Sequence, residues 1–121
     1  MRKLQLPGRS EEMPRLDEND IEIVNQQGIE GLRDQISTFI DRFLGKGSRV
    51  PCRGNPVFKA MHACGVTDRK ELERIHGVPR DVEMSQKRRS AVRNLLLRWI
   101  VREANFYRDE RETVQANLQK F

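Results

Sequence analysis

Closely spaced helix start and stop signals between residues 53 and 79 constrain the fold more than any other feature of this chain. Asparagine before proline is typical of a helix N-terminus, because asparagine caps free backbone N–H groups and proline needs none. Glycine is typical of the position just after a helix, where the backbone turns left-handed. These signals predict a hairpin of two short helices. In chain order they are Asn55, Pro56, Gly65, Thr67, Gly77 and Pro79.

Apolar residues with helical spacing predict the rest of the fold. Between residues 29 and 44 they recur at i, i+3, i+4 and i+7, the stripe of a helix that faces a core. Upstream, Asp17 or Asn19 begins a helix that Gly28 ends, and downstream Ser85 begins a long helix reaching at least Arg108. No strand-like alternation is present. We therefore predict an all-α fold, a compact bundle of about five helices with a central helix-turn-helix-like hairpin and a long C-terminal helix.

The predicted helices divide the chain into three parts. Residues 1–16 are polar, contain prolines and show no period, so we predict a disordered N-terminal tail. Residues 17–108 form a single helical domain, long enough to build a core without disulfides or metal. Residues 109–121 contain too few apolar side chains to decide between a helix extension and a frayed tail.

Composition argues for a cytoplasmic protein. Hydrophobic residues make up 36% of the chain and charged residues 34%, and no apolar run approaches the roughly 20 residues that span a bilayer. The N-terminus lacks the apolar segment of a secretory signal. We therefore expect no membrane partner, and we expect Cys52 and Cys64 to be reduced thiols.

The uneven distribution of charge points to a polyanionic partner. The net charge is +5, yet residues 18–45 are acidic overall and residues 46–121 are basic. This asymmetry indicates either DNA or RNA bound to the basic part, or an internal match of charge between the two parts. The predicted phosphate contacts are Arg49, Arg53, Lys59, Lys87, Arg98 and Arg102.

The second helix of the hairpin is poorly suited to reading bases. A recognition helix presents basic or amide groups near its N-terminus. Here the charges cancel, which favours contact with the phosphate backbone over base readout. The three basic and three acidic residues concerned are Arg69, Lys70, Arg74, Asp68, Glu71 and Glu73.

The candidate metal ligands and nucleophiles do not form a recognisable site. Cys52, His62, Cys64 and His76 lack the C-x2-C pair with which small zinc sites usually begin. On a helix His62 and Cys64 point about 160° apart. A thiol at a helix C-terminus has a raised pKa, and no P-loop or nucleophile-elbow motif is present. We predict no metal and no cofactor, and these residues argue against an enzyme without excluding one. We expect the histidines to serve as hydrogen-bonding groups that hold the hairpin.

The long helix also carries apolar residues on its far side. Leu97 and Val101, at i and i+4, lie opposite the stripe that faces the core. A helix that is apolar on two sides is either central in a bundle or pairs with another chain. We expect both residues to be buried, and a homodimer through them is an alternative function.

A pattern of arginine, glycine, proline and histidine residues runs through the middle of the chain. Its members are Arg53, Gly54, Pro56, Val57, Phe58, Ala60, His62, Ala63, Arg69, Leu72, Glu73, His76, Val78 and Pro79. This pattern resembles that of a family of small prokaryotic proteins of unknown function. The similarity covers roughly residues 17–102 and implies no activity. It implies a pocket built from Arg53, His62, Arg69, Glu73 and His76. The resemblance implies further cysteines between the two histidines, where this chain has Thr67, Asp68 and Glu71, so if the family pattern binds metal, this chain has lost that site.

Three functions follow as hypotheses. The first is a non-enzymatic protein that binds nucleic acid through phosphates. The second is a protein-interaction module or homodimer built on the long helix. The third is a ligand or metal pocket around His62 and His76.

Overall fold

The computed structural model describes residues 4–8, 14–45, 48–80 and 83–119, with side chains up to residue 108. Over these ranges the chain is all helical and contains no strand. The four α-helices are α1 (Glu18–Phe39), α2 (Pro56–Ala63), α3 (Arg69–His76) and α4 (Gln86–Gln119), and a π-helical turn, Ile40–Gly45, follows α1. The all-α prediction is confirmed.

The predicted number of about five helices is slightly wrong, because two of them join. The predicted first and second helices form one element across Gly28. Its φ of 69° and ψ of 176° are not helical, so the chain kinks at this glycine between two helical segments. Glycine occupies that conformation without the steric cost that a Cβ atom brings.

Local capping explains where the helices begin. Asp17 and Asp20 form a reciprocal capping box at the start of α1, with N–H···O distances of 2.9 and 3.0 Å. Asn55 accepts from Val57 N–H at 2.8 Å at the start of α2. Ser85 accepts from the backbone of Arg88 at 3.2 Å at the start of α4.

The short helix α3 begins one residue later than its sequence signals suggest. Asp68, rather than Thr67, is the cap, and it accepts from Glu71 N–H at 2.8 Å. Gly77 ends the helix with a φ of 72°, and its N–H donates to the Glu73 carbonyl at 2.9 Å. The hairpin predicted from these signals is therefore present, with α2 and α3 both eight residues long.

The core lies where α1, α2 and α4 pack against one another. Helix α4 contributes Trp99, whose side chain is fully buried. Phe58 of α2 packs on the aromatic rings at the end of α1, with ring centroids 4.8 Å from Phe39 and 5.8 Å from Phe43. The other large buried side chains are Leu32, Ile36, Met61, Leu72, Leu95, Leu96 and Ile100.

Several apolar residues of the predicted helices are exposed. Ile29 is 47% exposed and Ile75 44% exposed, and Phe106 lies at the surface under the Arg15 guanidinium. The expectation that Leu97 and Val101 are both buried is correct for Leu97 and wrong for Val101, which is 36% exposed. Helical spacing identifies a face, but the edges of that face have no neighbouring helix to cover them.

Part of the predicted N-terminal tail packs against the helical domain. We call residues 4–8 the strap. Leu4 and Leu6 of the strap pack on the core, and Leu16 is buried. In these described parts the leucines therefore bury apolar surface against the core. The division of the chain at residues 16 and 108 remains a prediction.

Helix α4 extends well past the predicted domain. Its backbone is helical as far as Gln119, so of the two alternatives left open for the C-terminal segment, the helix extension agrees with the structure up to that residue.

Candidate nucleic-acid interface

A surface groove between α1 and α4 brings two arginines together. The groove has a volume of about 520 Å³. Its described lining contains two guanidinium groups, one amide and three aliphatic side chains, and none of these lining residues carries a carboxylate. We call it the arginine groove. It is lined by Leu4, Arg33, Ala91, Asn94, Leu97 and Arg98.

The two arginines are exposed and available for an incoming group. Arg98 donates from Nε to the Asn94 carbonyl at 3.4 Å, which leaves its terminal nitrogens directed away from that contact. Within the described ranges, no carboxylate lies within 4.0 Å of either Arg33 or Arg98. The groove therefore has a positive charge that no carboxylate in the described part of the chain neutralises by an ion pair.

The predicted phosphate contacts fall into two groups. Arg49, Arg53 and Lys87 are exposed, as Arg98 is. Lys59 and Arg102 are engaged inside the protein. Arg102 donates from Nη1 to the Pro7 carbonyl of the strap at 2.6 Å.

A second and larger depression lies at the C-terminal ends of α2 and α3. Its volume is about 920 Å³, and both histidines line it. The strap forms one wall, and the Arg74–Glu71 ion pair, with an N···O distance of 2.9 Å, lies in its lining. We call it the histidine cleft. It is lined by Gln5, Leu6, Pro7, Gly8, His62, Ala63, Cys64, Gly65, Glu71, Arg74, Ile75 and His76.

Both histidine rings form hydrogen bonds with backbone carbonyl oxygens. His62 Nε2 lies 3.0 Å from the Val50 oxygen and 3.1 Å from the Pro51 oxygen, and His76 Nε2 lies 2.7 Å from the Cys64 oxygen. A carbonyl can only accept, so each Nε2 carries the proton. In the neutral ring, Nδ1 is then the remaining acceptor, and within the described ranges neither Nδ1 makes a hydrogen bond.

Comparison with known families agrees with the resemblance seen in the sequence. The model of a family described as a domain of unknown function, DUF4186, matches residues 8–101, which is more than half of the chain. The chain belongs to the DUF4186 family. No solved structure matches it. None of the helices in the described ranges is both long enough and apolar enough to cross a bilayer.

Lys59 links two elements of this DUF4186 domain instead of facing solvent. Its Nζ contacts the carboxylate of Asp20, lies 3.5 Å from that of Asp17 and 3.5 Å from the Arg15 carbonyl oxygen. Burial alone would lower the pKa of Lys59, but the hydrogen bond and charge of Asp20 raise it overall. This contact is an internal match between the acidic and basic parts of the chain, and it differs from the predicted phosphate role.

The pocket implied by the family resemblance is divided in the structure. His62 and His76 share the histidine cleft, whereas Arg53, Arg69 and Glu73 are not among its lining residues. Arg69 donates to the Pro79 carbonyl, and Glu73 accepts from the backbone of Arg80 at 3.0 Å. These two side chains hold the loop after α3, and Arg53 is exposed.

The buried cysteine, Cys64, is unreactive as a nucleophile. Burial raises the pKa of the Cys64 thiol to about 12, against the smaller opposite effect of Arg102 and Arg98. The thiol therefore stays protonated at neutral pH, and a thiolate nucleophile is not available there. Among the described residues, no group of three or more His, Cys, Asp or Glu side chains is arranged to hold a metal ion.

Arg33 is the residue of the arginine groove that the sequence analysis did not select. It lies in the acidic part of the chain, whereas the candidate phosphate contacts were selected from the basic part. Its position on the exposed side of the α1 stripe was the available signal, but only the packing of α1 against α4 places it beside Arg98.

Proposed function

We propose that this protein is a non-enzymatic, cytoplasmic protein that associates with DNA or RNA by binding backbone phosphates. The single observation that supports this most is the arginine groove, which both Arg33 and Arg98 line and where no carboxylate of the described residues lies within 4.0 Å of either guanidinium. The partner is recognised by its charge rather than by its base sequence.

The chemistry of the groove suits phosphate. A guanidinium group offers a planar set of donors that can bind two phosphate oxygens at once. Asn94 adds an amide that can donate to a phosphate or sugar oxygen. The exposed Arg49, Arg53 and Lys87 would add further contacts along the surface.

The hairpin supports backbone contact rather than groove reading. On α3, Arg74 is paired with Glu71 at 2.9 Å, and just beyond the helix Arg80 is paired with Glu73 at 3.3 Å. With these two arginines already matched by carboxylates of α3, the hairpin has less to gain by entering a DNA groove. The outline of a helix-turn-helix is therefore an architectural feature in this proposal.

Salt dependence tests the proposal directly. We expect the association constant for duplex DNA and duplex RNA to fall linearly with salt on logarithmic axes, by about 0.9 log units per log unit of salt for each phosphate bound to B-DNA. Fluorescence anisotropy with two duplexes of unrelated sequence measures this. An association constant that does not change with salt concentration, or that differs strongly between the two duplexes, would contradict the proposal.

The histidine cleft supports a second candidate function, which is binding of a small molecule. Its volume of about 920 Å³ lies in the upper range of known ligand sites. Two Nδ1 acceptors beside the apolar Leu6, Pro7 and Ile75 suit a ligand with an apolar body and hydrogen-bond donors.

Filling the cleft tests this second candidate without removing the histidines. Ala63 lines the cleft and is half-buried, so Ala63→Leu narrows it. Native mass spectrometry of protein as purified should show a small molecule on the wild type that is lost in this variant and kept in Arg53→Ala. Absence of any bound molecule from the wild type, or its persistence in Ala63→Leu, would contradict the candidate.

A further inference from the structure

We infer that the strap covers a second part of the phosphate-binding surface, built on Arg102, and that nucleic acid binds more tightly when the strap is displaced. This inference rests on the proposed function and deepens it by naming what regulates the same site. It follows from how the Arg102 guanidinium is held.

Arg102 has more hydrogen-bonding capacity than its surroundings use. Nη1 donates to the Pro7 carbonyl at 2.6 Å, whereas Nε and Nη2 are buried and have no hydrogen-bond partner in the described ranges. Buried donors without acceptors are unfavourable. A phosphate oxygen would supply the missing acceptor for Nε, and the strap now occupies the neighbouring donor Nη1.

Arg102 continues the row of cations that begins in the arginine groove. It lies four residues after Arg98 on α4, and side chains at this spacing are neighbours on a helix surface. Arg98 is exposed and Arg102 is not. The strap contacts the two arginines differently, since the Pro7 carbonyl accepts from Arg102 directly, whereas Leu4 only lines the groove that contains Arg98.

The contacts identified for the strap are modest. They are the partly buried side chains of Leu4 and Leu6 on the core and the Pro7 carbonyl on Arg102. An extended segment held by a few peripheral contacts opens at a small fraction of the cost of global unfolding. The strap also forms one wall of the histidine cleft, so its displacement would open both depressions together.

Glu103 is the charge that competes with phosphate for Arg102. Its carboxylate is buried and lies 3.6 Å from Nη2, beyond normal hydrogen-bond length. The pair neutralises part of the guanidinium charge and leaves its donors unsatisfied. Arg102 would therefore act through Nε and through Nη1, the nitrogen that the strap releases.

The test displaces the strap in the full-length protein. Leu4→Ser with Leu6→Ser should release it, and Ile29→Ser, a change of an exposed apolar residue elsewhere, is the control. Anisotropy with the same DNA duplex should show roughly tenfold tighter binding for the strap variant at about 50 mM salt, with a salt slope steeper by about 0.9. Adding Arg102→Gln should remove this gain, and circular dichroism confirms that each variant is folded. If the double change unfolds the protein, Leu6→Ser alone replaces it.

Each outcome separates the inference from the proposed function. Wild-type binding that depends on salt but does not increase in the strap variant overturns the inference and leaves the proposed function in place. A gain that survives Arg102→Gln overturns the assignment to Arg102. Absence of binding by both the wild type and the strap variant overturns both.

Discussion

Replacing Arg33 and Arg98 with glutamate is expected to weaken binding to duplex DNA or RNA by about a hundredfold at about 50 mM salt. Each phosphate contact that releases a counterion raises the association constant roughly tenfold at this salt concentration relative to 1 M. The double variant loses both contacts. The salt slope should become shallower by about 1.8 for the same reason. Anisotropy titrations at several salt concentrations measure both quantities.

A matched control distinguishes the arginine groove from net charge. Arg42 and Lys70 are exposed basic residues outside the groove, and changing both to glutamate alters the net charge by the same amount. We expect this control to weaken binding only a few-fold and to leave the salt slope nearly unchanged. An equal loss in both double variants would mean that binding is a diffuse effect of charge and that the groove has no special role.

Replacing Lys59 with methionine is expected to lower the free energy of unfolding by about 2–3 kcal/mol. The change leaves the Asp20 carboxylate, whose side chain is 5% exposed, without its cation. Breaking a fully buried ion pair costs about 3–5 kcal/mol. We expect a smaller loss of stability here because the Lys59 side chain is 17% exposed. Urea unfolding followed by circular dichroism measures the loss.

A double change identifies the cause of this destabilisation. Adding Asp20→Asn to Lys59→Met removes the uncompensated charge, so part of the lost stability should return. Arg89→Met, which removes the cation from the more exposed Asp41, should cost no more than about 1 kcal/mol. Equal losses for Lys59→Met and Arg89→Met would show that burial of the Asp20 carboxylate is not the cause.

The contacts of Lys59 with Asp17 and Asp20 determine how the stability of the folded protein changes with pH. Because the pKa of Lys59 is raised in the folded protein, its stabilising effect is complete below the ordinary value near 10.5 and is lost as the pH rises through the higher folded value. The pKa of Asp17 is lowered, first by the hydrogen bond from Asp20 N–H. Its effect is complete above the ordinary value of 3.8 and is lost as the pH falls through the lower folded value.

Local chemistry made the helices of this protein predictable. Asn55, Pro56 and Ser85 act on backbone groups a few residues away, so their effect does not depend on the rest of the fold. The stripe that contains Leu32 and Ile36 identified a buried face for the same reason, since helical spacing is a property of the chain itself. The break at Gly28 was also visible, although its consequence was not, because continuation of the helix beyond it depends on packing.

The candidate site depended on contacts that no local pattern contains. His62 and His76 line one cleft because they belong to one hairpin. Arg53 and Glu73 do not line it, because the position of Arg53 depends on the loop before α2 and Glu73 is engaged with the backbone of Arg80. The strap was missed entirely, because two leucines in a polar segment show no period.

The sequence by itself determined the helices, the central hairpin and the sign of the charge. Only the tertiary structure decided which cations remain free for a partner. Lys59 is matched by Asp17 and Asp20, which are distant in sequence, and Arg102 lies under the strap, whereas Arg33 and Arg98 meet in an open groove. The physical reason is that capping and helical spacing act over a few residues, whereas the availability of a charge depends on which distant groups folding brings within a few ångströms of it.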